Sequence, residues 1–196
     1  MKRDYLFTSE SVTEGHPDKL CDRIADAIVD RHLGGDPRTR VIAECAVANG
    51  IVFVSNRFSS RATVDAAAVA RQEITLAGYV RDDFNAAKCS VMVSQAELPP
   101  DPREWDESSL DGEGLDAITA HNMANVFGFA CRQTPSLLPL PIWLAHKLTR
   151  RLATVRTAQR LSYLAPDGKS QVGVEYRGGA TFAHPQPDPR REPDSR

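Results

Sequence analysis

Apolar positions recur at helical spacing from Pro17 to Leu33, where Leu20, Ile24 and Ile28 form one stripe beside Ala25 and Val29, and Gly34-Gly35 supplies a stop. Pro17 suits the first helical position, and Asp18 sits where a helix favours negative charge. Arg40 to Val47 and Ile51 to Ser59 read as strands joined at Asn49-Gly50, the dipeptide best fitted to the positive φ angles of a two-residue hairpin turn. Thr63 is placed to cap a second helix carrying Val64, Ala67, Ala68, Ala70, Ile74 and Leu76, and Cys89 to Val93 reads as a further strand.

The pattern breaks from Glu97 to Asp116, where prolines give way to Asp, Glu and Gly, a composition that buries little apolar surface and predicts a mobile linker or lid. Order is expected to resume at Val126 to Ala130. A helix from about Pro141 to Arg160 follows, with Leu144, Leu148, Leu152 and Val155 inward, then a strand alternating Val172, Val174 and Tyr176. The basic residues of that helix, Lys147, Arg150, Arg151, Arg156 and Arg160, read as a solvated face. After Gly179 the Pro-rich tail has no periodicity and is expected to be disordered.

Composition narrows the partners. With 41% hydrophobic and 26% charged residues the chain is ordinary globular material, and a net charge of −2 gives no general attraction to nucleic acid or to an anionic membrane. Neither a signal-peptide core nor a membrane-length apolar run is visible, so the cytoplasm is the expected compartment. Cys21, Cys45, Cys89 and Cys131 are spread singly in sequence and suggest neither a zinc site nor a redox motif.

The most suggestive local chemistry is Glu14-Gly15-His16-Pro17-Asp18-Lys19 at a helix start, where free N–H groups and the helix dipole favour an anion. There His16 can donate to a polyphosphate oxygen, Lys19 can add charge and Asp18 can hold a divalent cation. The same residues also suit a plain N-cap, a dipole partner and a solvated lysine. Glu44 lies mid-strand on the face of Ile42 and Ala46, which calls for either a cation partner or an open, solvated face. Asp167-Gly168-Lys169 combines a turn with a cation before the last clear strand.

The long word from Leu6 to Lys19, Leu-Phe-Thr-Ser-Glu-Ser-Val-Thr-Glu-Gly-His-Pro-Asp-Lys, resembles the opening signature of the S-adenosylmethionine synthetases (methionine adenosyltransferases). The resemblance continues in order through Asp36-Pro37, Ala43-Glu44, Gly78-Tyr79-Val80, Cys89, Phe127 to Ala130, Leu138 to Ile142 with Ala145-His146, and Pro166 to Val172, spanning about residues 4 to 178. It implies an α+β fold of mixed sheets packed with helices, cut to about one and a half of the family's three repeated units. The corresponding segments are an N-terminal synthetase domain at 1–96, a linker or lid at 97–117, a partial central domain at 118–180 and a disordered tail at 181–196.

Such enzymes join methionine to ATP: the methionine sulfur attacks the ribose C5′, and the triphosphate leaves and is hydrolysed to phosphate and diphosphate. The resemblance implies that His16 and Lys19 act on the triphosphate, that Asp18 ligates magnesium, that Glu44 helps to bind potassium, and that His16, Asp167 and Lys169 belong to the ATP site. It also implies a homodimer with shared active sites, or pairing with a full-length synthetase.

Three places along the chain, two single residues and one run of four, depart from the family pattern. Arg57 stands where a Glu normally receives the methionine ammonium, Leu98 where a Gln contacts methionine, and His121-Asn122-Met123-Ala124 where a Gly-Asp-Gln-Gly run supplies a second carboxylate. Removing one partner of a buried charge pair costs on the order of 3–5 kcal/mol, so methionine recognition is the weakened half of the expected activity. The glycine-rich phosphate segment of the family is not in the chain. A non-catalytic partner of a full-length synthetase and a gene fragment remain the alternative readings.

Overall fold

The computed structural model describes residues 4–80, 84–99, 124–178 and 180–182. Packing divides the chain into two compact units, residues 1–16 with 130–196, and residues 17–129. This division cuts across the sequence-ordered segments 1–96 and 118–180, because the first strand packs with the later elements.

In the first unit, strand β1 (Tyr5–Val12) pairs antiparallel with β5 (Lys169–Arg177), which pairs antiparallel with β6 (Ala180–Phe182). Helix α3 (Leu140–Thr157) packs on β1 and β5. The sequence pattern gave no strand at Tyr5–Val12, because its apolar residues are bunched at one end rather than alternating. Instead, β1 is held by cross-strand pairing along its whole length, with Tyr5 stacked on Tyr176 at 4.8 Å between ring centroids. The tail expected to be disordered from residue 181 contributes residues 181 and 182 to β6. The remainder of the tail lies outside the described residues.

The α3 stripe is shifted from the predicted one. Pro141, Ala145 and Thr149 are buried, whereas Leu148 is 53% exposed. Ala145 has no side chain beyond Cβ, which allows close approach to the sheet, and the Ser170 hydroxyl donates to the Ala145 carbonyl at 2.9 Å. Ser11 joins the same interface through His146 Nδ1 at 2.8 Å and Thr149 Oγ1 at 3.1 Å. Hydrogen bonds from small polar side chains thus replace part of the apolar packing between helix and sheet.

In the second unit, β2 (Arg40–Ala48) and β3 (Ile51–Ser59) form the expected hairpin, with Asn49 and Gly50 at φ 47° and 79°. Helix α2 (Ala66–Ala77) then crosses to β4 (Ser90–Glu97), which lies parallel to β3, giving the order β2-β3-β4. Helix α1 (Pro17–Gly35) begins where the sequence predicts, runs through Gly34-Gly35 before it stops, and buries Leu20, Ile24, Ile28 and also His32. Leu20, Ile24 and Ile28 meet Val52, Val54, Val69, Ala70 and Ile74 in one core, and Arg23 Nη2 reaches Glu73 at 2.8 Å to tie α1 to α2.

Two predicted details of α2 are corrected. Its N-cap is Asp65, whose carboxylate accepts from the Ala68 N–H at 2.9 Å, rather than Thr63. Leu76 is exposed, whereas Val69 and Ala77 are buried together with the expected Ala70 and Ile74. Strand β4 runs through Glu97, the residue at which the linker was expected to begin. Residues 100–117 of the expected linker lie outside the described residues. Val126 to Ala130, where order was expected to resume, adopt neither helix nor strand, and Phe127 is 94% exposed.

Candidate functional site

In the first unit, the end of β1 and the turn before β5 are locked together. The ladder's last pair is Val12 with Lys169. Beyond it the Thr13 N–H donates to the Gly168 carbonyl at 2.8 Å, and the buried Thr13 hydroxyl donates to the Pro166 carbonyl at 2.7 Å, with the Gly168 carbonyl at 3.1 Å. The Thr13 carbonyl accepts from the His16 N–H at 3.2 Å, which turns the chain over Glu14 and Gly15. A Cβ placed on Gly15 would stand 2.4 Å from the Pro166 Cβ, so glycine is what permits this approach.

The consequence is that three residues singled out from sequence, His16, Asp167 and Lys169, are carried by two segments in direct contact. His16 is half-buried, while Asp167 and Lys169 are exposed. Lys169 is ion-paired with Glu10 on the neighbouring strand, and Gln171 Nε2 donates to the same carboxylate at 3.1 Å. Both members of the Lys169–Glu10 pair are about half exposed, so the pair is weakly held and an incoming anion can compete for the ammonium.

In the second unit, Asp18 and Lys19 occupy the exposed first turn of α1, which Pro17 opens. A helix start that carries an exposed carboxylate is suited to magnesium bound through one protein carboxylate and the phosphates of a ligand. Among the described residues no group of three His, Cys, Asp or Glu side chains is placed to hold a metal by itself, so a dedicated protein cage is not on offer.

Glu44 is exposed on β2, on the open face with Ile42 and Ala46, as the solvated reading of the pattern requires. Arg57 lies opposite Ile42, and Glu44 lies opposite Ser55, which places Glu44 and Arg57 diagonally on that face. Leu98 follows β4, and its N–H donates to the Phe58 carbonyl at 2.6 Å, so Leu98 and Arg57 share one end of this sheet. Asn122 lies outside the described residues.

Sequence reasoning passed over Thr13, Pro166 and Glu10 as functional positions. Thr13 and Pro166 stand inside motif words that were legible, but their contact joins distant parts of the chain and depends on the β1–β5 pairing. Space also brings together two cysteines that sequence separates, Cys21 and Cys45. Burial first, then the neighbouring Cys21, push the Cys45 thiol up to about 12, and burial raises Cys21 as well. Neither is a ready thiolate, so the pair suits packing rather than catalysis or metal binding.

Comparison with known proteins supports the family resemblance. The family model described as S-adenosylmethionine synthetase, N-terminal domain, matches residues 4–99, and that described as S-adenosylmethionine synthetase, central domain, matches residues 117–186. The second match continues past Gly179, where the sequence reading had the resemblance stop. An S-adenosylmethionine synthase of Acaryochloris marina is 50% identical over 188 residues, covering 91% of this chain and 44% of its own length. Those of Trichormus variabilis and Gloeothece citriformis are each 48% identical, again over 91% of this chain, and 44% and 45% of their own lengths. The chain thus spans less than half the length of the curated relatives it matches.

Proposed function

Since this chain belongs to the S-adenosylmethionine synthetase family, we propose that it is a methionine adenosyltransferase homologue in which the triphosphate end of the active site is the better preserved half. The observation that carries this reading is the locked contact between the Thr13–His16 turn and the Pro166–Lys169 turn. It holds His16, Asp167 and Lys169 on adjoining segments, with Asp18 and Lys19 next along the chain.

ATP and methionine are the proposed substrates. Displacement at C5′ demands that the sulfur approach in line and that the departing triphosphate be stabilised, which calls for positioning and positive charge more than for a strong acid or base. His16 donates a hydrogen bond to the triphosphate, and Lys19 and Lys169 add charge. Asp167 lies at the nucleotide, and Asp18 holds magnesium, which neutralises phosphate charge when bound. Glu44 contributes to a potassium site. The proposed setting is the cytoplasm, as a homodimer or paired with a full-length synthetase; no helix among the described residues is long and apolar enough to cross a membrane.

At the methionine end, Arg57 faces outward at the position where the family places a carboxylate, and Leu98 stands at the same sheet end without a polar group. An ammonium is repelled there by Arg57, and Leu98 offers it no amide. This favours a second reading, in which the chain acts as a non-catalytic partner of a full-length synthetase.

Mass-spectrometric measurement of S-adenosylmethionine from ATP and methionine separates the two readings. The purified chain is assayed alone and mixed with an active full-length relative. Product from the chain alone supports the enzyme reading. No product alone, with altered product when mixed with an active full-length relative, supports the partner reading.

A further inference from the structure

Each polar group of Thr13 has a partner, and two of the three reach across to the turn before β5. Its N–H continues the β1–β5 ladder to the Gly168 carbonyl at 2.8 Å, and its carbonyl takes the His16 N–H at 3.2 Å. Once the chain turns at Glu14, the backbone can extend the ladder no further, and Pro166 has no N–H of its own to offer. The Thr13 hydroxyl takes over, donating to the Pro166 carbonyl at 2.7 Å while 6% exposed. Packing around it is equally tight: a Cβ on Gly168 would meet the Thr13 Cγ2 at 3.2 Å and the Leu152 Cδ2 at 2.9 Å.

The anchoring of β1 to α3 does not need Thr13, because Ser11, two residues earlier, already makes that connection through His146 and Thr149. What Thr13 holds, beside the close approach of Gly15 to Pro166, is the relation between the His16 turn and the turn that carries Asp167 and Lys169. We propose that Thr13 is a positioning residue for triphosphate recognition, acting through His16 and Lys169 rather than by touching the ligand. The inference rests on the reading that this end of the chain takes a polyphosphate.

Inorganic tripolyphosphate with magnesium is a suitable probe, because it reports on this end of the site without adenosine or methionine. The full chain is titrated calorimetrically as wild type, Thr13→Val, Thr13→Ser and Tyr176→Phe. Thr13→Val keeps the shape of the side chain and removes its hydroxyl. The expected loss of affinity is about tenfold, the scale of one buried hydrogen bond, with Thr13→Ser restoring it to within about twofold. Tyr176→Phe removes the 2.9 Å bond to Gln133 in the same unit, away from the turn. It should lower Tm and leave tripolyphosphate affinity unchanged.

Since the role is exerted partly through His16, the penalty of Thr13→Val must shrink in a His16→Ala background. An unchanged affinity in Thr13→Val, or the same tenfold loss with His16 removed, overturns the inference while leaving the site itself standing. If Thr13→Val does not fold, Thr13→Ala replaces it under the same criteria. A wild-type chain that is folded but takes up no tripolyphosphate overturns the polyphosphate reading, and this inference with it.

Discussion

Gly15 lies so close to Pro166 that a Cβ added to it would stand 2.4 Å from the proline Cβ and 2.6 Å from the proline carbonyl carbon. Relief would require movement of backbone, since the obstructing atoms belong to a ring and a peptide rather than to a flexible chain end. Gly15→Ala is therefore expected to destabilise the first unit by about 1–3 kcal/mol, the usual cost of overpacking. It should also weaken binding of a non-hydrolysable ATP analogue. Thermal unfolding followed by circular dichroism checks the first part, and an unchanged Tm would contradict the contact.

Glu10 competes with an incoming anion for Lys169. Neutralising it by Glu10→Gln should raise tripolyphosphate affinity by up to about fivefold, the range of an exposed ion pair. The effect should fade as salt is raised, because both groups are half exposed. A lower affinity in Glu10→Gln would mean that Lys169 needs Glu10 to be held in place.

His32 is fully buried between α1 and β3, beside Phe58 and 3.3 Å from the Asn56 amide nitrogen, and burial lowers its pKa from the ordinary 6.5. Between the lowered folded value and 6.5 the unfolded chain binds more protons, so stability rises with pH there. The contribution is complete above 6.5 and is lost as pH falls through the folded value. Tm should fall on acidification in this window, and His32→Gln should flatten the dependence. Asp36 acts lower on the scale, since backbone N–H groups of Arg61 and Arg38 pull its pKa below 3.8. Its contribution is present above 3.8 and is lost below it. A wild-type Tm that is flat from pH 7 down to the carboxylate range would contradict the His32 account.

Arg57 is expected to be the larger obstacle to methionine. Arg57→Glu places a carboxylate where the family has one, and methionine should then increase the affinity of the chain for the ATP analogue. Wild type should show no such increase. The check is titration of the analogue at saturating magnesium, with and without methionine. Equal methionine effects in both proteins would show that this position does not control the methionine end.

The parts of the fold that were legible in the sequence are those governed by local signals. Asn49-Gly50 dictated the hairpin because few other residues tolerate two positive φ angles, and Pro17 with Gly34-Gly35 bounded α1. Strand β1 was not legible, since Tyr5 to Val12 does not alternate and its partner lies at the other end of the chain. Leu148 was placed inward because leucine is apolar, yet the interface of α3 is built from Ala145 and Thr149 hydrogen-bonded to strand residues. For the site, motif words identified His16, Asp167 and Lys169. That Thr13 and Gly15 join the segments carrying them depends on long-range register, which residue pattern alone does not encode.

The central claim is that the triphosphate end of the site is retained, and calorimetric titration with a non-hydrolysable ATP analogue and magnesium tests it most directly. Wild type, His16→Ala and Asp18→Ala are compared, each verified as folded. The account predicts binding by wild type that falls by about tenfold or more in each variant, the scale of a lost hydrogen bond to a charged group or a lost metal ligand. A folded wild-type chain that takes up no analogue, or variants that bind it as well as wild type does, would contradict the account.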